Sequence, residues 1–129
     1  MKFVTESQIP LSLTYLQKGV NMILFTQALL RKLPRIEETA EYDMEESIVY
    51  VKLFDCMGGS TWYIYAYNPE TEEAMAFVRL NNDYQFAEIG YVSITELKEA
   101  LGWRLERDRH FSPRKLSAIY DTVKAGGHV

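Results

Sequence analysis

The chain has 129 residues, 47% of them apolar and 25% charged, with one cysteine, Cys56, and a formal charge of -4. That length holds one domain of ordinary size with a globular composition. A lone thiol excludes internal disulfides and a thiolate-built metal cage, and the net charge excludes a uniformly basic nucleic-acid coat.

Leu13, Leu16 and Val20 recur at helical spacing, and Gly19 would end a helix too short to stand without docking. Ile23-Leu24-Phe25 reads as a short strand. Thr26 is a good cap for a helix over 27–33 with an apolar stripe of Leu29, Leu30 and Leu33, stopped by Pro34. Residues 35–46 are mostly acidic and polar and read as a loop with room for a helical turn. Four strands follow, over 47–54, 61–67, 74–80 and 84–92, joined by Gly58-Gly59, by Asn68-Pro69-Glu70-Thr71 and by Asn81-Asn82-Asp83. Connections this short require antiparallel neighbours, so the centre of the fold is an antiparallel meander.

Ser93-Ile94-Thr95-Glu96 has capping-box spacing and opens a helix that Gly102 ends. Residues 103–111 read as extended. Ser112-Pro113 reads as a cap and first position of a last helix, whose stripe is Leu116, Ile119, Tyr120 and Val123. The expected fold is α+β: a single antiparallel β-meander sheet with helices packed mainly on one face.

From Met22 onward the pieces Met22-Ile23-Leu24-Phe25-Thr26, Leu30-Arg31-Lys32-Leu33-Pro34 and Ile48-Val49-Tyr50-Val51-Lys52-Leu53-Phe54 stand in a characteristic order. Thr61-Trp62-Tyr63, Gly90-Tyr91-Val92-Ser93, Leu105-Glu106-Arg107-Asp108, His110-Phe111 and Pro113 continue it. Together they resemble the domain-of-unknown-function family 2958 over residues 22–123. The resemblance implies a setting in bacterial plasmids, phages and integrated mobile elements, and it implies no activity, cofactor or catalytic residue. Members begin near the position of Met22. Residues 1–21 are therefore expected to be an N-terminal extension, from an upstream start or docked as a helix, on a single domain over 22–129.

Charge is divided along the chain: residues 1–21 carry +1, 22–36 carry +3, 37–96 carry -11 and 97–129 carry +3. An acidic middle between basic flanks suits a solvated surface, an acidic face for a basic partner, or an acidic decoy that imitates DNA. Strand alternation puts Tyr63, Tyr65 and Tyr67 on one face, with Phe77 and Arg79 beside them, as an interaction surface for another protein. Nucleic acid is the alternative partner, held by Arg31, Lys32, Arg35, Arg104, Arg107, Arg109, Arg114 and Lys115 if these gather on one side. Glu106, Asp108 and His110 would share one side of an extended segment and could hold a divalent metal for nuclease chemistry.

Cys56 and His110 lie on different segments and make a weak nucleophilic pair, and His128 falls in an expected frayed tail. Gly58-Gly59-Ser60 is too short for a phosphate cradle and lacks the following lysine, so no cofactor is expected. No export signal or membrane span is apparent: Met22-Ile23-Leu24-Phe25 is the longest apolar run near the start. A cytoplasmic, non-enzymatic protein-interaction module from a mobile element is the function these features favour.

Overall fold

The computed structural model describes residues 24–129. The proposed extension over 1–21, with its short helix, lies outside the described residues. Thr26 does cap a helix: its Oγ1 accepts from the Leu29 amide at 3.2 Å and opens α1 (Gln27–Lys32). The strand expected at Ile23-Leu24-Phe25 does not form at its described residues, because Leu24 is helical and Phe25 lies in a bend. Residues 35–46 contain a 3-10 turn (Ile36–Thr39) followed by tight turns.

The expected first strand is split at Tyr50 into β1 (Ile48–Val49) and β2 (Val51–Asp55). Then come β3 (Thr61–Asn68), β4 (Glu73–Arg79) and β5 (Glu88–Ser93). Ser93 Oγ accepts from the Glu96 amide at 3.1 Å and opens α2 (Ile94–Leu101), which ends at Gly102 with φ at 54°. A 3-10 turn (Gly102–Arg104) leads into β6 (Leu105–Arg107).

Ser112-Pro113 does not cap the last helix. Arg114–Lys115 forms β7 instead, paired antiparallel with β1, and α3 (Leu116–Lys124) begins after it. Cross-strand hydrogen bonding to β1 outcompetes the local capping signal. The helical stripe itself is in place: Leu116, Ile119 and Val123 are buried, and Tyr120 packs beside them.

The main sheet has five antiparallel strands in the order β5-β4-β3-β2-β6. The meander is therefore present, and β6 extends it at the β2 side. Helices cover both faces rather than mainly one. α1 and α2 pack through Leu29, Leu30, Ile94 and Leu97 against a core of Val51, Leu53, Trp62 and Ile64. α3 packs against a second core of Tyr63, Tyr65 and Phe77 on the opposite side.

β3 is the central strand, and every residue from 61 to 67 is buried. A bulge interrupts its alternation, because the register jumps from Ile64 opposite Ala76 to Ala66 opposite Met75. Tyr65 and Ala66 thus both join the α3-side core, and Tyr67 is turned to the α1 side, where it stacks on Phe25 at 4.6 Å. The three tyrosines expected on one face are divided two and one.

Two loops lock together at one end of the sheet. The Asn82 amide donates to the Gly59 carbonyl at 2.8 Å, and the Asn81 amide donates to Ser60 Oγ at 3.1 Å. A Cβ on Gly59 would lie 2.3 Å from Asn82 Nδ2 and 3.0 Å from its backbone nitrogen. Gly59→Ala should therefore lower the urea midpoint at unchanged slope, a loss of about 1–3 kcal/mol. Gly90→Ala is the control: nothing lies within 4 Å of its Cβ position, and its midpoint should hold or rise.

Candidate functional site

The surface expected to be an open aromatic platform is closed. Tyr63 and Phe77 are fully buried, and Tyr65, Tyr67 and Arg79 nearly so. The structure brings Tyr63, Tyr65, Phe77 and Arg79 to one face, but α3 and residues 127–129 lie over it. Burial raises the phenol pKa of Tyr63 and Tyr65 and pushes that of Tyr67 to about 12, so all three stay neutral hydroxyls.

The basic residues are divided among α1, the turn after α2, β6 and β7, and several are engaged by carboxylates. Arg35 pairs with Glu70, Lys115 with Glu45 at 3.1 Å, and Arg104 with Asp55 at 2.6 Å. Arg114 stacks over Phe111 at 5.8 Å. Arg31, Lys32 and Arg109 are exposed. Arg107 and Arg109 are close enough to act on one another, and burial together with Arg109 holds the Arg107 pKa below its ordinary value.

Glu106, Asp108 and His110 do not make a metal site. The chain turns at residues 109–110 and breaks the expected alternation. Asp108 Oδ1 accepts from the His110 amide at 2.9 Å, and its Oδ2 lies 3.6 Å from Lys52 Nζ. Among the described residues no group of three His, Cys, Asp or Glu side chains could hold a metal ion. The Cys56 thiol is pushed above its ordinary pKa by desolvation and by Glu106, the reverse of what a thiolate nucleophile needs.

An open cleft of about 700 Å³ lies at the β2–β6 side of the sheet. Lys52, Phe54 and Thr61 line it from the strands, Gly59 and Asn82 from the locked loops, and Arg109 from the turn after β6. At one rim, Asp55 receives a bidentate pair of bonds from Arg104 Nε and Nη2, at 3.1 and 2.6 Å, and accepts from the Met57 amide at 3.0 Å. A Cβ on Gly58 would lie 2.8 Å from Asp55 Oδ2, so the glycine lets the loop close over this pair.

Next to the cleft, residues 127–129 cross the sheet and are held by three strands. Lys52 Nζ on β2 donates to the Val129 backbone oxygen at 2.6 Å, and Tyr63 Oη on β3 donates to the same oxygen at 3.2 Å. Arg79 Nη1 on β4 reaches the Gly127 carbonyl at 3.4 Å and His128 Nδ1 at 3.2 Å. His128, expected in a frayed tail, is thus tied to the sheet. The sequence signal for this arrangement was Arg79 itself, the one charge in the expected strand over 74–80. Lys52 carried no such signal.

At the other edge of the sheet, β5 pairs only with β4 among the described strands. Tyr91 on this strand is 71% exposed, and Phe86 just before it is 77% exposed. Glu88 and Glu73 lie exposed at opposite ends of the β4–β5 pair.

The Arg104 guanidinium lowers the Asp55 pKa, chiefly through its hydrogen bonds. A carboxylate whose folded pKa is depressed adds stability above its unfolded value and loses it as pH falls toward the folded one. Arg104→Met should thus lower the melting temperature at neutral pH. The gap to wild type should close as pH falls below about 3.8. Thermal melts across that range check it.

Among the described residues no helix is long and apolar enough to cross a membrane. No curated protein and no solved structure matches the chain. The family model described as "Protein of unknown function (DUF2958)" matches residues 24–129, the α1-to-α3 fold with both of its cores. The chain belongs to that family.

Proposed function

We propose that this protein is a non-enzymatic interaction module, a cytoplasmic accessory protein of mobile genetic elements, that binds another protein by adding a strand to β5. The observation that supports this reading is the exposed edge. β5 has six residues, no proline, and the outward aromatic Tyr91 with Phe86 beside it. Edges of this kind are normally blunted by charge, bulges or cover, because their free amides and carbonyls template pairing. The docking surface thus moves from the buried tyrosines to the strand two places away.

The partner's chemistry follows from the surroundings. Glu73 and Glu88 are exposed at the two ends of the edge, and the 37–96 segment carries -11. An extended segment with basic side chains and one apolar group for the Tyr91–Phe86 patch is complementary in shape and charge. The basic residues, with Arg35, Lys115 and Arg104 already paired, favour this reading over nucleic acid.

Selection from a displayed random-peptide library supplies the test. Selected peptides should be basic and β-branched, and hydrogen exchange should show new protection at residues 88–93. Tyr91→Glu should weaken them by about tenfold or more without moving the melting temperature. Protection elsewhere, or equal binding by Tyr91→Glu, would sink the reading.

A further inference from the structure

Arg79 is the least compensated charge in the described fold. The residue is 6% exposed, and no Asp or Glu side-chain carboxylate among the described residues lies within ion-pair distance of it. Its Nε is buried with no hydrogen-bond partner among the described residues. What Nη1 does meet, the Gly127 carbonyl at 3.4 Å and a ring nitrogen of His128, makes a weak set for a guanidinium. A buried cation in this condition is costly and calls for an anion.

The neighbours point the same way. Lys52 and Tyr63, on the two adjacent strands, aim an ammonium and a hydroxyl at one oxygen, that of Val129. Arg114 is near enough to act electrostatically on Tyr63, and so is the Asp108 carboxylate. Three cations and a phenol therefore face one acidic side chain, Asp108, and the carboxylate of the last residue in the sequence, Val129. Such donors, spread over β2, β3, β4 and β7, are those an oxyanion requires, and residues 127–129 occupy them with tail groups.

The site also has a mouth. Lys52 lines the 700 Å³ cleft, as does Thr61, the residue opposite Arg79 in the β3–β4 register. Arg109 and His110 also line the cleft. Of its three acids, Asp55 is engaged by Arg104, Asp108 by Lys52 and the His110 amide, and Glu106 faces the Cys56 thiol. The volume is that of a pocket for a small metabolite.

We propose that Lys52, Tyr63 and Arg79 form a binding site for the phosphoryl group of a small phosphorylated molecule, which displaces residues 127–129 and lays its remainder in the cleft. The tail is then a strap that fills the site in the absence of ligand. The site lies on the α3 side of the sheet and does not involve β5, so it stands or falls separately from partner binding at that edge.

Inorganic phosphate is the probe, with acetate at equal ionic strength as the carboxylate arm. In the full chain, phosphate should shift and sharpen the NMR signals of His128 and Val129. A variant lacking residues 127–129 should bind phosphate at least about tenfold more tightly, since no strap competes. Arg79→Met should abolish both binding and the tail response while keeping or raising the melting temperature, because an apolar side chain replaces an uncompensated charge. A purely structural Arg79 would instead lower it.

Should the shortened chain fail to fold, Arg79→Met and Lys52→Met in the full chain decide the matter. Phosphate binding unchanged in both, or a phosphate response confined to residues away from the tail, would overturn the site. Tighter binding of acetate than of phosphate would overturn the phosphoryl assignment.

Discussion

One extra residue in β3 organises this molecule. β3 is covered on both sides, so each of its side chains must enter one of two cores, and the bulge at Tyr65 and Ala66 sets which. Before the bulge, Trp62 and Ile64 face α1 and α2, and Tyr63 faces α3; beyond it, Tyr67 faces the α1 side. Without the extra residue Tyr67 would project into the α3 core and leave Phe25 without its stacking partner. The positions of α1 and α3, and through α3 the tail that follows it, depend on this parity.

Charge is organised in the same economical way. The acidic segment and its basic flanks meet across the fold at Arg35–Glu70, Arg104–Asp55 and Lys115–Glu45. The first and last of these are exposed pairs, worth little to stability, and their effect is on where positive charge remains available. The Asp55 pair has a buried carboxylate and a closing glycine loop, so it is a clamp on the end of the sheet. What is left uncompensated lies inside, at Arg79, and an unpaired interior charge weighs far more than a surface imbalance.

These features give the two faces and two edges of the sheet separate characters. The α1 face is an apolar core among the described residues, with Tyr67 and Trp62 in it. The α3 face grades from an aromatic core into the polar row of Lys52, Tyr63 and Arg79 under the tail. Among the described strands, the three-residue β6 is one edge, with the cleft beside it, and the six-residue β5 is the other. A partner at β5 and a small ligand beneath the tail would be linked through β4, which pairs with β5 and carries Arg79.

Much of this was legible in the residues. Thr26 and Ser93 cap helices because a hydroxyl reaches an orphan amide two or three residues on, a purely local event. The meander follows from short turns, and the α3 stripe from helical periodicity, which are local as well. The Ser112-Pro113 cap was equally plausible locally, yet β1 reached β7 first in energy, through partners more than sixty residues apart. The bulge is of the same kind, since parity along β3 depends on how β4 pairs with it.

The candidate sites lay beyond the sequence for that reason. Strand alternation put Arg79 beside the tyrosines; it could not show that α3 and residues 127–129 would cover them. Spacing put Glu106, Asp108 and His110 on one side, and a turn undid it. The sequence by itself determined the elements, their order and the kinds of side chain each face would carry, because these depend on neighbours a few residues away. Only the tertiary structure decided which face was open and which charge was left without a partner, because burial and ion pairing depend on residues the chain brings together from a distance.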